Sequence, residues 1–195
     1  MEKLVVASGN KGKIKEIKAI LGEFYEIVTM AEMGFNEEVE ETGKSFFENS
    51  LIKAKAVSEA LNCDALADDS GLCVDALDGA PGIYSARYSG DHGDDESNRK
   101  LLLENLKGVK NRRAKFVSSI VLYKKGGEFI EGYGETHGTI LFEDTGLNGF
   151  GYDCIFLSDD LNLSFGVASS EDKNKVSHRY RALLDLFNKI NSKNS

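Results

Sequence analysis

The sequence predicts an α/β fold with a mixed sheet. Strand-like and helix-like segments alternate along the whole chain, which is the pattern of a sheet covered by helices. The 195 residues are 41% hydrophobic and 29% charged, enough for one ordinary core, so a single domain over 1–195 is expected. Neither internal repeats nor low-complexity segments divide it.

The elements follow in order. Residues 3–7 read as a buried strand and 8–13 as a turn. Ile14, Ile17, Ile20 and Leu21 then fall at helical spacing before Gly22. Residues 24–30 form a second strand, and 36–43 an acidic loop. Ser45 with Glu48 makes a capping box for a helix whose apolar stripe is Leu51, Ala54, Val57 and Leu61. A short apolar strand, 65–67, gives way to a turn at Gly71. A loop rich in glycine and aromatic residues runs from Gly79 to Tyr88 and holds the only proline, Pro81. Residues 95–106 read as a helix, and 114–123 and 128–140 as strands joined at Gly126-Gly127. The loop 149–153 precedes a short strand. One terminal helix is predicted over about 171–190, with Val176, Tyr180, Leu183, Leu184 and Phe187 inward.

Composition excludes several classes. The net charge of −8 opposes tracking along a nucleic-acid backbone, where neutralising phosphates supplies much of the affinity, so no nucleic-acid partner is expected. No long apolar run provides a membrane span, and the N-terminus enters a strand pattern at once, which argues against a signal peptide. Cys63, Cys73 and Cys154 are odd in number with no close pair; buried free thiols in a reducing, cytoplasmic setting fit them best.

Chemistry concentrates in a few places. Asp68-Asp69 puts two carboxylates side by side, and crowded carboxylates need either a proton or a hard cation such as Mg2+. The competing reading is an Asx-turn at Ser70-Gly71 with no chemistry. Ser8-Gly9-Asn10-Lys11-Gly12-Lys13 lies between a strand and a helix, so its N–H groups and Lys13 suit a phosphate, although the spacing is not a Walker A loop and such glycines often only form turns. Glu37, Glu38, Glu40 and Glu41 read either as solvated surface or as a source of a second metal ligand. Lys173, Lys175, His178, Arg179 and Arg181 gather positive charge that opposes the dipole of a starting helix, unless an anion or Glu171 and Asp172 offset it. Phe150, flanked by glycines, suits stacking on a nucleobase as well as core packing.

Ser8 to Lys13, Glu41-Thr42-Gly43 with Ser45-Phe46 and Glu48-Asn49, Ala67 to Leu72, Gly79 to Tyr88, Phe150 to Asp153 and Ser177-His178-Arg179 resemble, in order, the inosine triphosphate pyrophosphatase family. The match covers nearly the whole chain. It implies an elongated mixed-sheet α/β fold with a central substrate cleft, a homodimer, Mg2+ dependence, and hydrolysis of ITP, dITP and XTP to the monophosphate plus pyrophosphate. By matched position, Ser8, Gly9, Asn10, Lys11, Gly12, Lys13, Lys53 and Lys173 are implied as triphosphate contacts. Asp69 is implied as the catalytic base and a metal ligand, with Ser70 beside the substrate. Phe150, Gly151, Tyr152, Asp153, His178 and Arg179 are implied as the base-recognition wall. Glu41 is implied as the second metal ligand, with Glu38 taking its place if the acidic loop is shifted. Cys154 replaces a proline usual in the family, and Asn162 to Ala168 departs from its pattern. A pyrophosphatase for other modified or ordinary nucleotides is the rival enzyme; a nucleotide-binding module without turnover would lack the carboxylates this chain retains.

Overall fold

The computed structural model describes residues 1–193 and shows the predicted mixed α/β class. Its six strands are β1 (Glu2–Val6), β2 (Tyr25–Thr29), β3 (Ala65–Val74), β4 (Arg113–Tyr123), β5 (Phe129–Ile140) and β6 (Phe156–Ser158). The helices are α1 (Lys11–Leu21), α2 (Phe46–Leu61), α3 (Asp95–Asn105), α4 (Ser170–Val176) and α5 (His178–Lys193). The strands order as β2-β1-β3-β4-β5-β6. β1 runs parallel to β2 and β3, whereas β6 is antiparallel to β5, so the sheet is mixed.

The chain forms two compact units, each discontinuous in sequence. Unit 1 comprises residues 1–69, 118–134 and 179 onward; unit 2 comprises 70–117 and 135–178. In unit 1, one apolar cluster joins Leu4, Val6, Ile17, Leu21, Leu66, Ile120 and Leu183, and another joins Val5, Ala54, Val57, Ala65, Ala67 and Val121. Unit 2 has its own core of Leu72, Leu102, Phe116, Ile140, Tyr152, Phe156 and Phe165. Sealing a side chain such as Ile17 or Leu102 contributes about 1.5–3 kcal/mol, so each unit has its own reason to stay compact.

Local signals explain the helix starts. Asn10 caps α1 by accepting from the Lys13 N–H at 3.1 Å, which puts Lys11, Gly12 and Lys13 in the first helical turn rather than in a preceding loop. Ser45 caps α2 by accepting from the Glu48 N–H at 3.1 Å, while Glu48 reaches back to the Lys44 N–H at 2.6 Å. That is the predicted box, closed one residue earlier.

Two expectations are corrected. The strand at 65–67 does not turn at Gly71: β3 continues through Asp68, Asp69, Ser70 and Gly71 to Val74. Asp68 and Asp69 are therefore successive mid-strand residues on opposite faces, and the Asx-turn reading falls. The single terminal helix is two, α4 and α5, because Ser177 takes an extended backbone (φ −67°, ψ 155°) between them. Lys173 and Lys175 thus lie in the last turn of α4, where the dipole favours them. Leu184, predicted inward, is exposed; Ala182 and Leu186 fill the face with Leu183.

Candidate active site

In unit 1, β3 supplies two buried carboxylates that different elements surround. Asp68 is fully buried. Its carboxylate accepts from the Ser118 hydroxyl on β4, from Lys13 Nζ at 3.1 Å, and from Arg179 Nη2 and Nε at 3.0 and 3.3 Å. Arg179 also binds Glu16, one helical turn beyond Lys13 on α1. Asp69 faces other partners. Its Oδ2 accepts from Asn49 Nδ2 at 3.1 Å, and Lys53 Nζ lies 3.9 Å from its Oδ1. Lys53 holds Glu41 Oε1 at 2.6 Å and donates to the Asp68 carbonyl at 3.0 Å. Lys13 also donates to that carbonyl, at 3.3 Å.

Asn49 ties this cluster to the loop. While its amide N–H binds Asp69, its Oδ1 accepts from the Gly43 N–H at 2.9 Å. A side chain at Gly43 would run into Asn49 and Glu48, which explains why a glycine follows Glu41-Thr42. Thus α2 places Asn49 and Lys53, four residues apart and on one face, against Asp69.

Electrostatics follow from this burial. Asp69 is pushed above the ordinary carboxylate range mainly by burial and further by Glu41, although Lys53, Lys13 and the Asn49 hydrogen bond oppose the shift. Burial pulls the Lys13 ammonium below the usual lysine value, with Asp68 opposing and Lys53 adding to the drop. Burial also works against the Arg179 charge, yet Asp68 and Glu16 more than offset it and the guanidinium pKa rises. A proton acceptor and two ammonium groups therefore sit together out of bulk water.

Unit 2 builds a different arrangement. Gly149 and Gly151 both have positive φ (76° and 61°), which only glycine adopts freely, and they bracket Phe150. Asp153 Oδ2 accepts from the Phe150 N–H at 2.8 Å and from Lys173 Nζ at 2.6 Å. The Lys173 ammonium lies 4.9 Å from the centroid of the Phe150 ring. His178 stacks on Phe116, with centroids 4.9 Å apart and planes at 14°. Phe150, Asp153, Lys173 and His178 thus belong to one unit with an aromatic floor.

The sequence-derived residues sort accordingly. Lys13, Lys53, Glu41 and Asp69 come together in unit 1. Lys173, grouped in advance with Lys13 and Lys53, instead joins Asp153 and Phe150. Arg179, assigned to the base wall, has its guanidinium 1% exposed and committed to Asp68 and Glu16. Tyr152 turns its ring into the core and donates its hydroxyl to the Ser85 carbonyl at 2.7 Å, so its side chain is a prop for the loop. Ser8, Gly9 and the capping Asn10 connect β1 to α1, Lys11 and Gly12 begin α1, and half-buried Ser70 follows Asp69 on β3. Of the acidic loop, Glu41 reaches Lys53, while Glu38 is exposed. Sequence reasoning did not assign roles to Glu16, Asn49 or Ser118, and took Asp68 only as half of a carboxylate pair with Asp69. The first two had a signal: each lies one helical turn from a proposed phosphate lysine, Glu16 from Lys13 and Asn49 from Lys53.

The Ham1 family model matches residues 4–189. A Haemophilus influenzae protein named dITP/XTP pyrophosphatase is 45% identical over 97% of this chain and 99% of its own length. One of the same name from Bacillus subtilis is 43% identical over 95% and 96%. The Staphylococcus aureus Ham1 protein superposes with a TM-score of 0.85 at 42% identity, covering 96% of this chain and 98% of its own, and a HAM1 protein from Coxiella burnetii with 0.86 at 34%, covering 98% and 100%. Sharing both sequence and fold over nearly its full length with these proteins, the chain belongs to the Ham1 family.

Proposed function

We propose that the chain is a nucleoside triphosphate pyrophosphatase that hydrolyses non-canonical purine triphosphates, dITP and XTP among them, to the monophosphate and pyrophosphate. Full-length relatives named for that activity support the reaction class. The observation that carries the reading in this chain is Asp69, a buried carboxylate held by Asn49 with the Lys53 ammonium beside it. A fixed carboxylate base beside cations that bind phosphate is what water attack on a phosphoanhydride requires.

In this reading Asp69 takes a proton from the water that attacks the α-phosphorus. The bond to the bridging oxygen breaks, and pyrophosphate carries away the electron pair. Lys13 and Lys53 neutralise the charge that accumulates on the phosphate oxygens. Asn49 holds Asp69 in place so that one carboxylate oxygen stays fixed, and Arg179 holds Asp68, which in turn orients Lys13.

The donor set also fits Mg2+. Glu41 and Asp69 are hard oxygen donors that share the Lys53 ammonium. An ion that takes one or two protein carboxylates and completes its shell with water and phosphate oxygens suits that set. Glu41 and Asp69 would hold it, and when bound it supplies charge neutralisation at the phosphates.

Base choice falls to unit 2. Phe150 offers a stacking face, and the Lys173 ammonium beside it presents only hydrogen-bond donors. A 6-keto purine accepts there, whereas adenine presents a 6-amino group and leaves two donors opposed. The resemblance further implies a homodimer, and the three unpaired cysteines suit a reducing, cytoplasmic setting; among the described residues no helix is long and apolar enough to cross a membrane.

Pyrophosphate release from dITP, XTP, ATP and GTP, with and without Mg2+ and in 18O-labelled water, tests this. Mg-dependent pyrophosphate from dITP and XTP, with the label in the monophosphate, is the expected result. Inorganic phosphate as the first product, or label in pyrophosphate, would place the attack elsewhere.

A further inference from the structure

The loop that carries Phe150 is gripped from outside by α3. Asp95 and Arg99 are four residues apart on that helix and so share one face. The Gly151 N–H donates to Asp95 Oδ2 at 2.8 Å, and the Gly151 carbonyl accepts from Arg99 Nη1 at 2.9 Å. The other side of the same guanidinium binds Asp144 at both oxygens, at 3.2 and 3.1 Å. Asp144 lies on the segment leading into the loop and Gly151 within it, so one planar fork spans the two. Asp144 is also near the Cys154 thiol, which burial above all, with this carboxylate adding to it, pushes up to about 11. Cys154 stands where the sequence departs from the expected proline, so the departure is built into the same clamp.

α3 is itself well held. Asp94 caps it by accepting from the Ser97 N–H at 3.0 Å, Asn98 accepts from the Ser89 N–H at 2.7 Å, and Leu102 is fully buried. Within the loop, the Phe150 N–H is bound by Asp153. Both polar groups of the Gly151 peptide and the N–H before it are therefore fixed by ionised side chains, which make the stronger hydrogen bonds. Two glycines at positive φ would otherwise leave Phe150 free to swing, since glycine restrains the backbone least.

We propose that Arg99, assisted by Asp95 and Asp144, is a positioning residue that sets base selectivity. It acts through Gly151 to hold the Phe150 ring and the Asp153–Lys173 pair in the one arrangement that accepts a keto purine. This rests on the reading that Phe150, Asp153 and Lys173 meet the base. A recognition surface left loose can re-form around the wrong ligand, so freeing the loop erodes discrimination before it erodes chemistry. Lysine cannot replace Arg99, because a point charge cannot span Asp144 and Gly151 at once.

The test compares Arg99→Ala, Arg99→Lys and Asp95→Asn with Arg113→Ala. Arg113 makes an equally bidentate pair with Asp159 in the same unit, at 2.8 and 2.6 Å, and controls for general loss of stability. Two readouts are taken: kcat and KM for dITP and dATP, and calorimetric binding of IMP and AMP, which needs no turnover. Arg99→Ala should lower the dITP-to-dATP ratio of kcat/KM by about tenfold or more, through KM, with kcat for dITP within about threefold of wild type. The IMP-to-AMP affinity ratio should fall in parallel. Arg99→Lys should behave nearly as badly, Asp95→Asn less so, and Arg113→Ala should leave both ratios unchanged. An unchanged ratio in Arg99→Ala, equal losses for both bases, or the same collapse in Arg113→Ala would overturn the proposal. Wild-type discrimination between IMP and AMP that Arg99→Ala abolishes, in a protein that hydrolyses no triphosphate, would sustain the clamp and remove the hydrolytic reading.

Discussion

The two units hold buried charge in opposite ways. In unit 1 the contacts set four carboxylates, Glu16, Glu41, Asp68 and Asp69, against three cations, Lys13, Lys53 and Arg179. The surplus is negative, but the pKa of Asp69 is raised by burial, because Lys53 and Lys13 outweigh Glu41 there. In unit 2 the buried pair Asp153–Lys173 balances one to one over aromatic rings. An unbalanced cluster is suited to take up a cation and a proton, and a balanced pair to present fixed hydrogen-bonding groups. Chemistry and base reading are therefore expected to be separable by mutation.

The largest effect should come from Asp69→Asn. The amide keeps the shape and can still accept from Asn49, but it loses both basicity and charge. Single-turnover hydrolysis should fall by about a thousandfold or more, with the melting temperature unchanged or raised because a penalised buried charge is gone. Residual activity within tenfold of wild type would remove Asp69 from the catalytic role.

Arg179→Ala is next and of a different kind. Removing the guanidinium takes a cation from the buried carboxylates Asp68 and Glu16, which costs about 3–5 kcal/mol of stability. Denaturant titration should show this loss, while whatever folded protein remains keeps its base preference. A stable Arg179→Ala protein with altered base preference would return Arg179 to the base wall.

These two variants mark where the sequence was legible. The β1–loop–α1 unit could be read because an apolar run and helical spacing are local signals that agree, although the Asn10 cap starts the helix inside the expected turn. The course of β3 could not: Gly71 reads as a breaker, yet β3 continues through it to Val74, past its pairing with β1 at Ala65 and Leu66 and next to β4 in the strand order. That error made Asp68 and Asp69 look like one group, when the two faces of the strand give them different partners. The ion pairs of Arg179, assigned to the base wall by its motif, were hidden for a similar reason. Its neighbour His178 faces Phe116 in unit 2, and one residue along the chain reaches Asp68 and Glu16, more than 100 positions away in sequence. No local pattern encodes such a pairing. Asn49 was hidden by its dual use, since it reads as an ordinary first-turn residue until Gly43 and Asp69 are both beside it.

Lys13→Ala should weaken triphosphate binding by about tenfold to a hundredfold and monophosphate binding much less, measured by calorimetry with both ligands. Equal losses would place Lys13 away from the outer phosphates. A smaller effect concerns pH. With its pKa pulled down by burial, Lys13 loses its charge at lower pH than an ordinary lysine, so kcat/KM should fall on an alkaline limb below the usual value of about 10.4. For folding the sign is reversed: the unfolded chain binds that proton more tightly, so this group's contribution to stability rises with pH across the same window. Lys13→Arg, which stays charged, should move the limb upward; an unmoved limb would assign it to another group.

The separation of the units is tested most directly by one matrix of kcat/KM values: wild type, Lys13→Ala and Phe150→Ala, each with dITP and dATP. Lys13→Ala should slow both substrates by the same factor and leave their ratio unchanged. Phe150→Ala should collapse that ratio while single-turnover hydrolysis of bound dITP stays near wild type. A ratio that moves with Lys13 and stays fixed with Phe150 would contradict the account.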